Sequence, residues 1–189
     1  MKKILIHSLT FPPDTISTGM IVSEIADGLN KELNNIEVLA SSPQYNLKSA
    51  QEYNQNDKNI SVGMFKGIKV HYIESNPRQF SNSSRFFQWL GFNFKAIRFI
   101  YKNRKDYKEI LIFSYPPTMN LVCIFTTKIL KINTIYSLWE LYPEIAEKLH
   151  EQPNRILKSL FKTLDNYSLK NVSKVVVNSE ELEKYLIDK

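Results

Sequence analysis

Short apolar runs of strand length alternate with stretches of helical periodicity along most of these 189 residues. That alternation limits the fold more than any other feature. Lys2–Ser8 is a short apolar run with a basic start, Glu37–Ala40 a second and Ile68–Glu74 a third, the last preceded by a turn at Gly63 and Gly67. Ile110–Phe113, Thr134–Leu138 and Val175–Val177 complete the predicted strands. Met20–Asn34 carries Ile21, Val22, Ile25, Ala26, Leu29 and Leu33 in a helical stripe, and Thr118–Leu130 reads as a further helix. Pro153 suits the first turn of a helix running to about Leu169, with Ile156, Leu157, Leu160, Phe161 and Leu164 inward. Asn178 is expected to cap the last helix, with Glu181 three places on as in a capping box. Strands joined through helices imply a parallel sheet with right-handed crossovers and helices on both faces, a Rossmann-like α/β fold.

Composition sets outer bounds. The length suits one domain, here taken as 1–189, and 43% hydrophobic with 12% aromatic residues specifies a packed core rather than a disordered chain. Cys123 is the sole cysteine and sits in an apolar run, which excludes an internal disulfide and suits a reducing cytoplasm. The opening Met-Lys-Lys-Ile-Leu-Ile-His has too short an apolar part for a signal peptide. No stretch of membrane-spanning length is free of charges, so no span is expected. The net charge of +6 admits nucleic acid, acidic lipid, a phosphorylated ligand or a solvated surface. Its placement has to decide.

In open parallel sheets, ligands bind beyond the carboxyl ends of the strands. Three segments with unusual residues follow strands directly: Phe11–Gly19, Ser114–Thr118 and Trp139–Glu144. The fold rule therefore places them on one rim. In the first, Pro12 and Pro13 stop the strand, Ser17 or Thr18 is expected to cap the coming helix, and Gly19 permits close backbone approach. Free N–H groups and the helix dipole make Thr18 and Gly19 candidates to face a phosphate. An ordinary strand-to-helix connection is the plainer reading. Glu140 and Glu144 are carboxylates able to orient a hydroxyl or take its proton, and Glu140 is the candidate catalytic group. Tyr115, Trp139 and Tyr142 offer rings for stacking on a sugar, and Asp14 stands beside the prolines, where it either meets an acceptor or steadies its turn. Gly-x-Gly-x-x-Gly, Gly-Lys-Ser/Thr and Gly-x-Ser-x-Gly are all missing, which disfavours dinucleotide redox, Walker-type and elbow-serine chemistry. His7, His71 and His150 show no metal-ligand spacing, so no metal is assigned.

Arg85–Lys105 holds six basic residues and no acidic one, interleaved with aromatics. On a helix, Gln88, Gly91, Lys95, Arg98, Lys102 and Lys105 form a polar stripe, and apolar residues spread over more of the circumference than one sheet face needs. One reading is an interfacial helix on anionic lipid, with Trp89, Lys95, Arg98 and Lys102 at the surface. The other is a core helix with a solvated basic stripe. Nucleic acid fits less well, because base stacking needs aromatics exposed on strands or in grooves.

Phe11-Pro-Pro-Asp-Thr-Ile-Ser-Thr-Gly with the following Glu-Ile-Ala helix, and Ser42-Pro43-Gln44-Tyr45-Asn46, resemble the start of bacterial family 4 glycosyltransferases of the colanic-acid and capsule type. Tyr115-Pro116-Pro117-Thr118, Leu138–Glu144 and Val175–Glu180 resemble later motifs of that group in the same order. The resemblance implies the N-terminal, acceptor-side half of a GT-B enzyme that transfers a sugar from a nucleotide sugar with retention and without a metal or other cofactor. It further implies a saccharide or lipid-linked acceptor, a place on the inner face of the plasma membrane, and a donor-binding domain supplied elsewhere. Trp139-Glu140 departs from the family's His or Gln followed by Asp, and Ile16-Ser17 stands where paired glycines are common. A non-catalytic sugar- or lipid-binding subunit that docks on a membrane or partner enzyme is the alternative.

Overall fold

The computed structural model describes residues 2–45, 60–75, 82–139 and 155–188. The strands are β1 (Lys3–His7), β2 (Ile36–Ser41), β3 (Ile60–Phe65), β4 (Ile68–Ile73), β5 (Tyr107–Phe113), β6 (Asn133–Leu138) and β7 (Lys174–Val177). The helices are α1 (Ser17–Leu33), α2 (Asn82–Lys102), α3 (Met119–Ile124), α4 (Arg155–Asn171) and α5 (Glu180–Ile187). The seven strands form one sheet in the order β3-β4-β2-β1-β5-β6-β7. β2 pairs in parallel with β1 and β4, and β6 with β7. The expected α/β, Rossmann-like architecture is therefore the observed one. The chain folds as two compact units, Met1–Ile110 and Leu111–Lys189.

In the first unit β2 is buried along its whole length, as a central parallel strand must be. Alternate side chains point to opposite faces. Leu5, His7, Glu37, Leu39 and His71 share one face through the β1–β2 and β2–β4 registers. α2 covers that face, with Phe92, Asn93, Ala96, Phe99 and Ile100 buried. Phe92 stacks on His7 at 5.3 Å between ring centroids, and Phe99 meets His71 at 4.7 Å. Phe99 also lies 6.5 Å from Tyr107 at the start of β5. α2 thus runs opposite to the strands, its first half over the carboxyl end of β1. α1 packs on β2 and β4 with Val22 and Ala26 buried.

The sheet is not wholly parallel. β3 pairs antiparallel with β4 through a two-residue turn at Lys66 (φ 47°) and Gly67 (φ 79°), where a single turn near Gly63 and Gly67 was expected. Two successive positive φ values give the turn whose twist matches a hairpin. Gly63 lies inside β3, opposite Val70. β3 is an edge strand in which no residue is fully buried and Val62 and Met64 are exposed, so it lacks the signature of a core strand.

In the second unit the expected helix Thr118–Leu130 divides into α3 and a π turn at Phe125–Ile129. Its cause is local. Thr126 Oγ1 donates to the carbonyls of Val122 and Cys123 at 2.9 and 3.0 Å, and Thr127 Oγ1 donates to that of Cys123 at 2.7 Å. Hydroxyls that take these carbonyls compete with the backbone ladder. α4 buries Phe161, Asp165 and Ser168, but Leu160 is 48% exposed rather than inward. Asn120 Nδ2 donates to Asp165 Oδ1 at 2.6 Å, so the interior here is polar where apolar packing was expected. Burial pushes the Cys123 thiol well up, in keeping with a small core residue. The last cap falls on Ser179, whose Oγ accepts from Leu182 N–H at 3.2 Å, and not on Asn178. The shift by one residue takes Glu181 out of capping-box register. Among the described residues, no helix is long and apolar enough to cross a membrane.

Candidate functional site

In the first unit the loops after β1, β2 and β4 are clasped together at the carboxyl ends of their strands. Asp14 forms the centre. It is 2% exposed, and its Oδ2 and Oδ1 accept the backbone N–H groups of Gln44 and Tyr45, each at 2.9 Å. Tyr72 donates from its hydroxyl to Pro12 O at 2.6 Å, which ties the first loop to β4. Ser42 Oγ and the backbone of Ser75 exchange hydrogen bonds of 3.2 and 3.0 Å. Gln44 Nε2 donates to Ser41 Oγ at 3.0 Å and approaches Ser75 Oγ at 3.4 Å. Phe11, 1% exposed, packs edge-on against Phe65 at 5.3 Å and anchors the loop from below.

Gly19 is buried in the first turn of α1. A Cβ there would lie 3.2 Å from Asp14 O and 3.5 Å from Phe11 N. The close approach anticipated at Gly19 is therefore made by the loop's own backbone. Neither Ser17 nor Thr18 caps α1. Both lie inside the helix, whose N-cap is Ile16 in extended conformation with no side-chain cap bond. Ile16 has no side-chain acceptor and so cannot itself cap the first turn of α1. The first turn also carries no acidic residue. This is the electrostatic setting that suits an anion at Thr18 and Gly19. The Pro12–Pro13 peptide bond is cis, as is Tyr115–Pro116.

In the second unit, Ser114 joins the loops after β5 and β6. Ser114 N–H donates to Ser137 O at 3.0 Å, and Ser114 Oγ accepts from Trp139 N–H at 3.1 Å. The Trp139 indole N–H donates to Ser137 Oγ at 2.9 Å, and its ring meets Phe113 edge-on at 5.1 Å. Tyr115, 37% exposed, stands on the same pair of loops. Trp139 is thus fixed by hydrogen bonds at both backbone and ring. Glu140, Tyr142 and Glu144 lie outside the described residues, as does His150.

His7 and His71 perform structural tasks. His7 Nδ1–H donates to Leu39 O at 3.1 Å, and burial draws its pKa down to about 4. It is neutral near pH 7. Glu37 accepts from Lys3 Nζ at 2.6 Å, from His71 Nε2 at 3.1 Å and from the Tyr107 hydroxyl at 2.8 Å. Burial alone would raise the Glu37 carboxyl, but these three bonds outweigh it and bring the pKa to about 2. This cluster lies at the amino ends of β2 and β5, away from the clasped loops.

No family model matches the sequence. No curated protein matches it either. By structure, the chain is similar to the catalytic domain of starch synthase IV from Arabidopsis thaliana, solved bound to ADP and acarbose. The TM-score is 0.55 at 11% identity, with 93% of this chain and 51% of that chain covered. The chain thus spans about half the length of that structure. A second match, to the FeoB G-domain from Methanococcus jannaschii, has a TM-score of 0.26 at 15% identity over 100% of this chain and 97% of that chain, too low to carry an argument. The likeness to the starch synthase shows the fold alone, a Rossmann-like α/β domain.

Proposed function

We propose that this chain is the acceptor-side domain of a glycosyltransferase that uses a nucleotide sugar and acts in surface-polysaccharide synthesis with retention of configuration. The carrying observation is the GT-B-like fold matched over 93% of the chain. Beside it stands the resemblance of the first loop, Tyr115-Pro-Pro-Thr and Leu138–Glu144 to family 4 motifs. The start of α1, whose first turn carries no acidic residue and whose N-cap Ile16 makes no side-chain bond, supports a phosphate-facing role for Thr18 and Gly19. Trp139 supports the sugar-stacking role, because a ring fixed in place loses little freedom on binding, and Tyr115 offers a partly exposed ring on the neighbouring loop. Asp14 acts one step back from the acceptor: its oxygens hold the Gln44 and Tyr45 amides and so set the shape of the wall. Glu140 remains the proposed catalytic carboxylate, with Tyr142 and Glu144 beside it on the acceptor side. The donor is a nucleotide sugar, the acceptor a saccharide or a lipid-linked one, and the groups that grip the nucleotide belong to a separate domain or chain.

The test is a screen of the purified chain against immobilised oligosaccharides and polyprenyl-linked sugars. Retention of at least one saccharide is expected, and Tyr115→Ala or Trp139→Ala should weaken it roughly tenfold, the loss expected of one aromatic contact. A native protein that holds no saccharide, or alanine variants that bind as well as it does, would contradict the proposal.

A further inference from the structure

α2 presents two unlike faces. Phe92, Ala96, Phe99 and Ile100 are buried against the sheet. On the other side Phe87 is 70% exposed, Phe94 71% and Tyr101 51%. These three rings are spaced seven residues apart. Seven residues bring a helix back to within about 20° of the same direction, so they form one row. Arg98 and Lys102 are exposed immediately beside that row, and Arg104 stacks on Tyr101 at 4.6 Å. No acidic residue occurs between Asn82 and Lys105.

We infer that this face of α2 docks on an anionic lipid surface. The observations choose among occupants. A second copy pairing through the same face by a two-fold axis would set Arg98 and Lys102 against their own equivalents, with no carboxylate on α2 to relieve the repulsion. An anionic bilayer supplies the missing charge, and its headgroup region accommodates aromatic rings with cations beside them. α2 lies on that surface and does not cross it, since no described helix is long and apolar enough to span. The contact residues are Phe87, Phe94, Tyr101, Arg98 and Lys102. Trp89 and Lys95, expected at the surface from spacing alone, are only partly exposed, and Lys95 Nζ donates to Glu74 O at 2.7 Å. The row from Phe87 to Tyr101 extends about 20 Å along the helix. Because α2 runs opposite to the strands it covers, docking along this row lays β1, β2 and β4 parallel to the bilayer. The clasped loops at their carboxyl ends then open along the membrane plane. The inference stands independently of sugar transfer.

Co-sedimentation with vesicles tests it directly. The full chain should sediment with vesicles made of phosphatidylglycerol and phosphatidylcholine in equal parts, and not with phosphatidylcholine alone. Arg98→Ser with Lys102→Ser should weaken the partition roughly 25-fold, about fivefold for each cation lost near the surface. Phe87→Ser with Phe94→Ser should weaken it at least as much, with unfolding temperature unchanged because both rings are exposed. If the aromatic pair impairs folding, Arg98→Ser alone still reads the charge contribution. Absence of binding to anionic vesicles, or variants that sediment like the native chain, would overturn the inference. So would a dimer abolished by Phe94→Ser in a chain that binds no vesicles.

Discussion

Replacing Asp14 by alanine would strip the backbone N–H groups of Gln44 and Tyr45 of their acceptors, the first in a buried place and the second in a half-buried one. Each charge-assisted bond contributes about 1.5–3 kcal/mol, so a loss of roughly 3–6 kcal/mol is expected by denaturant titration. Asp14→Asn keeps one carbonyl oxygen and should lose less. Equal stability of the alanine variant and the native chain would rule out the clasp as a structural device. The sequence placed Asp14 on the right loop but gave no means of seeing its partners, because Gln44 and Tyr45 lie 30 or more positions away. The cap of α5 illustrates a narrower failure. Asn178 and Ser179 are both good capping residues, and only the backbone turn decides which oxygen reaches an N–H.

Two glycines of α1 separate packing from propensity at the level of one element. Alanine exceeds glycine in a helix interior by about 1 kcal/mol. At Gly28, where no atom lies within 4 Å of an added Cβ, Gly28→Ala should realise that gain. At Gly19, with Asp14 O at 3.2 Å, Gly19→Ala should show none of it. Denaturation midpoints for the two variants measured side by side decide the matter, and an equal rise in both would remove the case for loop-to-helix packing at Gly19. The β3–β4 hairpin makes a similar point: Gly67→Ala should destabilise by about 1 kcal/mol, since φ is 79° there. Helical stripes and buried strands were legible because burial on one side imposes a period. β3 was not, because an edge strand with exposed Val62 and Met64 imposes none. The π turn was equally hidden, since threonine hydroxyls reach the carbonyls of the preceding turn only once a helix exists.

Acid should unfold the molecule in two steps whose signs agree. His7 has a folded pKa of about 4 against an ordinary 6.5, so below pH 6.5 the unfolded chain takes up a proton that the folded chain refuses. Stability falls between pH 6.5 and about 4 by roughly 3 kcal/mol, then falls no further on this account. Glu37 ionises with a pKa of about 2 against an ordinary 4.5, so its contribution is present above pH 4.5 and declines toward pH 2. Unfolding free energy measured across this range should slope downward throughout. His7→Gln should flatten the upper portion and Glu37→Gln the lower; unchanged slopes would refute these assignments. At this scale the α/β fold was open to reading because alternating periods admit few topologies. The polar cluster around Glu37 was not, since Lys3, Glu37, His71 and Tyr107 come from four separate strands. The clasp among the loops after β1, β2 and β4 was not legible either, because its hydrogen-bond partners arise only from the sheet order.

The clasp at Asp14 has a kinetic meaning as well. A wall whose amides are already held by an internal carboxylate takes its form when the chain folds, without waiting for a ligand. A sugar or phosphate reaching the start of α1 would meet a surface in its final shape. Its arrival rate would then be governed by diffusion and charge, and its residence by the fit it finds there.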